Sequence, residues 1–315
     1  MKAALIENFG EPLKIKEVQV KTDQNEVIVN VKASGICGRD LVVWKGGFKN
    51  LKLPLIPGHE IFGELNGTSV GVFGAITCGK CKYCLSGKEN LCESLTFLGE
   101  GKFGGYAEKV SVPKENIFPL PDSNYEKYAA AACPLATAIH AAKVAEVKKG
   151  ESVLVTGAGG GVGIHTIQYF KKIGLKVFSV TSESKKEIVS KYSDAVITEK
   201  EFSKYIKDVD AVFEIVGANT INESLKILKK EGRLVLIGNV DGKNIELIRP
   251  ALSIMREHKI IGSAAFTKKE YLESVDLIHR GDVKPYYRTY PLDDVNKAYQ
   301  DIIQGKITGR GVLLP

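Results

Sequence analysis

Four of the six cysteines in this 315-residue chain, Cys78, Cys81, Cys84 and Cys92, fall in one short stretch with the spacing C-x2-C-x2-C-x7-C. Zinc favours a tetrahedron of soft thiolates, and closely spaced cysteines on one loop can wrap such an ion without long-range help. Four cysteine ligands leave no coordination position open, so the expected role of this ion is to pin a lobe of the fold rather than to catalyse. The competing reading is a set of free or disulfide-bonded thiols. The first residues, MKAALIENFG, carry no secretory signal, which makes a disulfide framework the poorer expectation.

A second group of candidate ligands is more dispersed. Cys37 lies in Gly35-Ile36-Cys37-Gly38-Arg39-Asp40, and His59 follows in Pro57-Gly58-His59-Glu60. Together they offer a thiolate and an imidazole, with Asp40 and Glu60 as carboxylates able to orient them. On residues alone this is weak, because a buried free cysteine and a satisfied core histidine are commoner than a ligand pair.

A third feature is the glycine-rich run after VLVTG, which fits as Gly157-x-x-Gly160-x-x-Gly163 or as Ala158-x-Gly160-x-x-Gly163, with Gly161 and Val162 inside it. Strand, glycine turn and apolar helix in that order let a backbone approach a pyrophosphate, with free helix N–H groups presented to it. The next strand, KVFSVT, ends on Thr181, followed by Ser182, Glu183, Ser184 and Lys185. No carboxylate stands at the strand tip, so the 2′-phosphate of NADP is favoured, while Glu183 leaves NAD possible.

The elements that must position these residues fall into three stretches. Residues 1–123 are rich in Val, Gly and short apolar runs between turns, which reads as an irregular all-β domain. From 124 to 265, an Ala-rich helical stretch, expected to be interrupted at Pro134, leads into alternating strands and helices of a dinucleotide-binding domain. Residues 266–315 break that rhythm, and their β-like end is expected to return to the first domain. The fold class is therefore α/β, a β-rich domain joined to a doubly wound parallel sheet. The composition, 44% hydrophobic and 26% charged, suits a chain of this kind. Its formal charge of +7 is spread among acids, so no nucleic-acid partner is expected. No apolar run is long enough to span a bilayer, and a cytoplasmic protein with no membrane partner is the expectation.

From GICGRD through PGHE, the four-cysteine lobe, GGYAEKVSVP and VLVTGAGGGVG to GRGVLL, the chain resembles the zinc-containing alcohol dehydrogenase branch of the medium-chain dehydrogenase/reductase family. The resemblance covers nearly the whole chain. It implies a GroES-like catalytic domain with a Rossmann-type domain, and two zinc ions per chain. Catalytic zinc would sit on Cys37, His59 and Cys133, the last standing four residues before Thr137, which would face the nicotinamide. Val216, Gly217, Ile237, Gly238 and Asn239 would line the nicotinamide side, and Arg310 would reach the pyrophosphate. A homodimer or homotetramer is implied, joined through a sheet edge for which RLVLIGNV or KIIGSAAF is available. Two positions depart from the family. Arg39 and Val42 stand where relatives carry a hydroxyl and a histidine that pass the alcohol proton onward. Arg39 cannot shuttle a proton but suits a carboxylate or phosphate partner. The segment from Gly63 to Gly74 is short, which predicts a truncated hairpin, and Trp44 with Phe48 stands where relatives narrow the substrate pocket.

These features favour a zinc-dependent, NAD(P)-linked dehydrogenase or reductase of a small alcohol, aldehyde or ketone. The first alternative is NADPH-dependent reduction of an activated C=C bond, of the enoyl- or acryloyl-CoA type. The second is a non-catalytic, zinc-stabilised dinucleotide-binding protein.

Overall fold

The computed structural model describes residues 1–239 and 242–315, so Val240 at the end of RLVLIGNV lies outside the described residues. The chain divides into two compact units. The first comprises Met1–Cys133, Thr267–His279 and Pro285–Pro315, and the second Pro134–Phe266 and Arg280–Lys284. The division falls ten residues later than the sequence suggested, inside a helix.

In the first unit the sheet runs in the order Tyr287–Pro291, Arg310–Leu314, Glu26–Ile36, Glu60–Leu65, Thr68–Val72, Ile117–Pro119, with Lys109–Pro113 also paired to Glu26–Ile36. Alternation in EVIVNVKASGI puts Val29, Val31 and Ala33 fully inside, as a half-buried strand demands. Val29 and Val31 join Ile61, Val70, Val72, Val110 and Val112 in one apolar cluster. The short segment predicted from 63 to 74 is a two-residue hairpin: Asn66 and Gly67 both have positive φ, 49° and 80°, the geometry of a type I′ turn. The C-terminal strand Arg310–Leu314 pairs antiparallel with the end of Glu26–Ile36, setting Gly311 opposite Ile36.

The described residues of the second unit form a six-stranded parallel sheet, ordered Ala195–Ile197, Lys176–Val180, Ser152–Val155, Val209–Glu214, Leu228–Leu236, Lys259–Gly262. Strand order reverses at Ser152–Val155, which pairs on one side with Lys176–Val180 and on the other with Val209–Glu214. Such a switch point opens a crevice at the carboxyl ends of the strands.

Pro134 does not interrupt the Ala-rich helix, which runs unbroken from Tyr125 to Val144. An interior proline costs about 3 kcal/mol. Here the residues on both sides, Ala129–Ala132, Leu135 and Ala136, are fully buried, and packing of that extent outweighs the lost hydrogen bond.

Candidate metal centres and cofactor cradle

Cys37 follows the long strand Glu26–Ile36 and caps the helix Gly38–Trp44. Its backbone N–H donates to Asp40 Oδ2 at 2.7 Å. His59 immediately precedes, and Glu60 opens, the neighbouring antiparallel strand, and Cys133 sits in the long helix at the limit of the same unit. One ligand atom from each of Cys37, His59, Glu60 and Cys133 lies within 4.8 Å of all the others. His59 Nδ1 is 3.2 Å from Asp40 Oδ1, while Tyr106 Oη donates to Asp40 Oδ2 at 2.9 Å. The carboxylate thus fixes the ring with Nε2 turned toward Cys133 Sγ, 3.9 Å away.

Glu60 is fully buried. One oxygen accepts from Arg310 Nη2 at 2.7 Å, and the other has no partner. Burial pushes its carboxyl up to about 7, the Arg310 guanidinium pulling in the opposite direction. A hydrogen bond with Cys133 pulls the Cys37 thiol well below its ordinary value, while that bond and burial push Cys133 up. An orphaned carboxylate oxygen beside two thiols and an imidazole is a donor set suited to zinc, and one in which the protein ligands need not fill every position.

Arg310, expected at the pyrophosphate, is 5% exposed, with its Nη2 on Glu60. The reason is register: it begins the strand paired beside Ile36, so its side chain falls next to the metal ligands. Arg39 has the carboxylate partner its chemistry suggested. It grips Glu100 through both Nε and Nη2, the latter at 2.9 Å, with its guanidinium 4.5 Å from the Phe48 ring and 4.7 Å from Phe97. Phe97 in turn meets the His59 ring edge-on at 5.9 Å. Phe48 therefore belongs to the surroundings of Arg39. Trp44 packs against Tyr299 and donates to Glu11 O, at the margin of the apolar core of the unit.

Cys78, Cys81, Cys84 and Cys92 form a second quartet in the same unit, with ligand atoms again within 4.8 Å. All six cysteines are free, so neither group is disulfide-bonded. Backbone N–H groups of Cys81 and Ser94 donate to Cys78 Sγ and Cys92 Sγ. Hydrogen bonds from backbone groups pull Cys81 down to about 6, whereas desolvation and its sulfur neighbours push Cys84 up to about 12. The donors fit a closed thiolate zinc site.

In the second unit, Gly160 caps the helix Gly161–Lys172, so Gly161, Val162 and Gly163 form its first turn with their N–H groups free of earlier helical partners. A Cβ on Gly163 would lie 2.3 Å from Gly157 O, so only glycine lets this helix close onto the turn. Ala158 N bonds Val180 O, which brings the glycine turn to the tip of the next strand. There Thr181 is buried, and Thr181 Oγ1 and the Lys185 stem both flank Gly159. Burial pushes the Lys185 ammonium down, and Ser182 Oγ lies 3.2 Å from Ser184 Oγ. Glu183 is 72% exposed and pairs with Lys186. Val216, Gly217, Ile237, Gly238 and Asn239 sit together at the carboxyl ends of their strands. Thr137 follows Cys133 in the same helix, one turn on.

Sequence reasoning passed over three residues that hold these groups: Tyr106, Glu100 and Glu214. Glu214 left a signal, a lone charge inside the apolar run AVFEIV.

Comparison with known proteins agrees with this architecture. Residues 23–122 match the alcohol dehydrogenase GroES-like domain, and residues 161–280 match the zinc-binding dehydrogenase domain. The chain is 35% identical to an acryloyl-coenzyme A reductase of Sulfurisphaera tokodaii, covering 100% of both chains. It is 34% identical to an alcohol dehydrogenase of Geobacillus stearothermophilus over 99% of both. A cobalt- and zinc-bound thermostable alcohol dehydrogenase from Pyrobaculum aerophilum superposes with a TM-score of 0.92 at 28% identity, covering 100% of this chain and 99% of that one. The chain belongs to the zinc-containing alcohol dehydrogenase family of medium-chain dehydrogenases/reductases. It is accordingly a zinc- and NAD(P)-dependent oxidoreductase of the alcohol dehydrogenase type.

Proposed function

We propose that the chain interconverts a small alcohol with its aldehyde or ketone by hydride exchange with a nicotinamide dinucleotide, at a zinc site made by Cys37, His59 and Cys133. The observation that carries this reading is the complete ligand set, with the orphaned oxygen of Glu60 beside it. Zinc bound there supplies Lewis acidity to a carbonyl or alcohol oxygen. The chain's own residues do the rest. Asp40 fixes the His59 ring, Cys37 and Cys133 supply the thiolates, and Arg310 balances Glu60. Arg39, tied to Glu100 and held between two rings, is a fixed wall rather than a proton carrier, so the substrate proton leaves by water. Cys78, Cys81, Cys84 and Cys92 hold a second, structural zinc.

NADP is the favoured cofactor. Thr181, Ser182 and Lys185 offer hydroxyl and ammonium groups at the strand tip, and the only carboxylate of that turn, Glu183, points into an ion pair with Lys186. The working form is a homodimer or homotetramer, and the compartment an intracellular one that keeps the six cysteines reduced.

A second reading, reduction of an activated alkene, is favoured by the relatives that are acryloyl-coenzyme A reductases and by the missing relay at Arg39 and Val42. Product analysis separates the two. With NADPH, simple aldehydes and ketones are expected to yield alcohols. Saturation of an enoyl thioester, with no turnover of any carbonyl, would replace the first reading by the second.

A further inference from the structure

Three backbone segments meet at one buried carboxylate in the second unit. Glu214 is the last residue of the strand Val209–Glu214 and is fully buried. Its Oε1 accepts from Thr156 Oγ1 at 2.7 Å, Thr220 Oγ1 at 2.6 Å, Val216 N at 3.1 Å and Gly217 N at 3.0 Å. Its Oε2 accepts from Ser224 Oγ at 2.7 Å. The main-chain oxygen of the same residue accepts from Ile237 N at 3.0 Å and Gly238 N at 3.3 Å.

Thr156 immediately precedes the glycine turn. Its hydroxyl also accepts from Ile215 N at 2.9 Å. Val216 and Gly217 form the loop after the central strand, and Ile237–Asn239 the loop after its neighbour. These loops press on one another as well: a Cβ on Gly217 would lie 2.8 Å from Asn239 Oδ1, and one on Gly238 would lie 2.5 Å from Ile215 O. Gly217 has φ +100°, a conformation that glycine adopts without the strain a side chain would bring.

A carboxylate with five donors and no exposure is a costly group to bury for packing alone. An apolar residue would complete the strand AVFEIV more cheaply. What the Glu214 carboxylate adds is a fixed relation between Thr156, the Val216 and Gly217 N–H groups and the Thr220 and Ser224 hydroxyls, while the Ile237–Asn239 loop is tied to the same residue through its main-chain oxygen. We propose that Glu214 is a positioning residue whose carboxylate holds the Val216–Gly217 loop in register with Thr156, and so against the Ile237–Asn239 loop packed on it, to receive the nicotinamide half of the cofactor. The proposal rests on the assignment of those loops to the cofactor, made above. Glu214 touches no reacting atom and acts through the loops. The adenine half is read at Thr181–Lys185, to which Glu214 makes no hydrogen bond.

The experiment uses the zinc-loaded protein, with binding of NADPH, NADH and ADP measured by fluorescence titration and calorimetry for wild type, Glu214→Leu, Glu214→Gln and Thr220→Val. ADP probes the adenine and phosphate half alone. Glu214→Leu is expected to weaken the preferred reduced dinucleotide by about tenfold to a hundredfold, the loss of charge-assisted hydrogen bonds. ADP binding and zinc content should stay unchanged, and nicotinamide emission of the residual complex should move toward that of free cofactor. Glu214→Gln keeps one acceptor oxygen and Thr220→Val removes one donor, so each should show a smaller loss of the same kind. These two carry the test if the leucine variant does not fold. A wild type that binds ADP and dinucleotide, with every folded variant within about twofold of it for both, would overturn the role of Glu214. So would ADP affinity falling in step with dinucleotide affinity. A wild type that binds no dinucleotide would instead overturn the cofactor assignment beneath the proposal.

Discussion

Around Cys37, His59 and Cys133 most of the charge is paired within one buried cluster. Two thiolates match a divalent ion, and Glu60 is matched by Arg310 at 2.7 Å. Buried charge is tolerable only when paired in this way. Asp40 adds a further carboxylate, and it receives the Cys37 N–H and the Tyr106 hydroxyl as well as facing His59. Asp40→Asn should therefore weaken zinc at this site by about tenfold to a hundredfold, while the lobe zinc is retained. Timed release to a chromogenic chelator checks it, and unchanged release kinetics would count against the orienting role. Cys37 and His59 were legible in the sequence as ligand types beside carboxylates. Cys133 was legible only through resemblance, because a lone cysteine in an alanine-rich helix has no spacing to mark it. The partners Glu100 and Tyr106 were not legible as such, since a long-range contact of one side chain leaves no local pattern, whereas Glu214 was marked by its lone charge inside AVFEIV.

At the scale of elements, strands and turns were read from alternation and turn residues, and the two-residue Asn66–Gly67 hairpin is the tightest case. The long helix was read less well, because Pro134 is a strong local signal and the burial that overrides it is a property of the assembled unit. The start of that helix is tied down electrostatically. Partial burial pushes the Asp122 carboxyl up, but Lys127 at 2.7 Å, the Asn124 N–H, His279 at 3.1 Å and Tyr128 outweigh it and hold it well below the ordinary aspartate range. A carboxyl whose folded-state value is lowered stabilises the fold above its unfolded value and loses that contribution as pH falls toward the folded one. Asp122→Asn should thus cost roughly 1 kcal/mol at neutral pH and progressively less below about pH 4. Thermal melts of both proteins across that range test it, and a gap that persists in acid would refute the ionic origin.

At the scale of the whole molecule, the edge strand Lys259–Gly262 pairs on one side only among the described residues. Shortly before it in the chain, Ile248, Ile254 and Met255 are 72%, 75% and 81% exposed. An open edge with apolar surface suits pairing with a second copy about a twofold axis. Replacing Ile254 and Met255 by glutamate should shift the protein toward monomer in light scattering, and an unchanged mass would place the interface elsewhere. No helix among the described residues is long and apolar enough to cross a membrane. In the proposed reading, chemistry depends on zinc at Cys37, His59 and Cys133, while zinc in the lobe serves the fold. The most direct measurement follows zinc content and NADPH-linked carbonyl turnover together while a chelator strips the enzyme. Two zinc ions per chain are expected at the start, and turnover should fall in proportion to loss of the ion that Cys133→Ser also removes, with the melting temperature sustained by the other. Full turnover after that ion has gone would contradict the account.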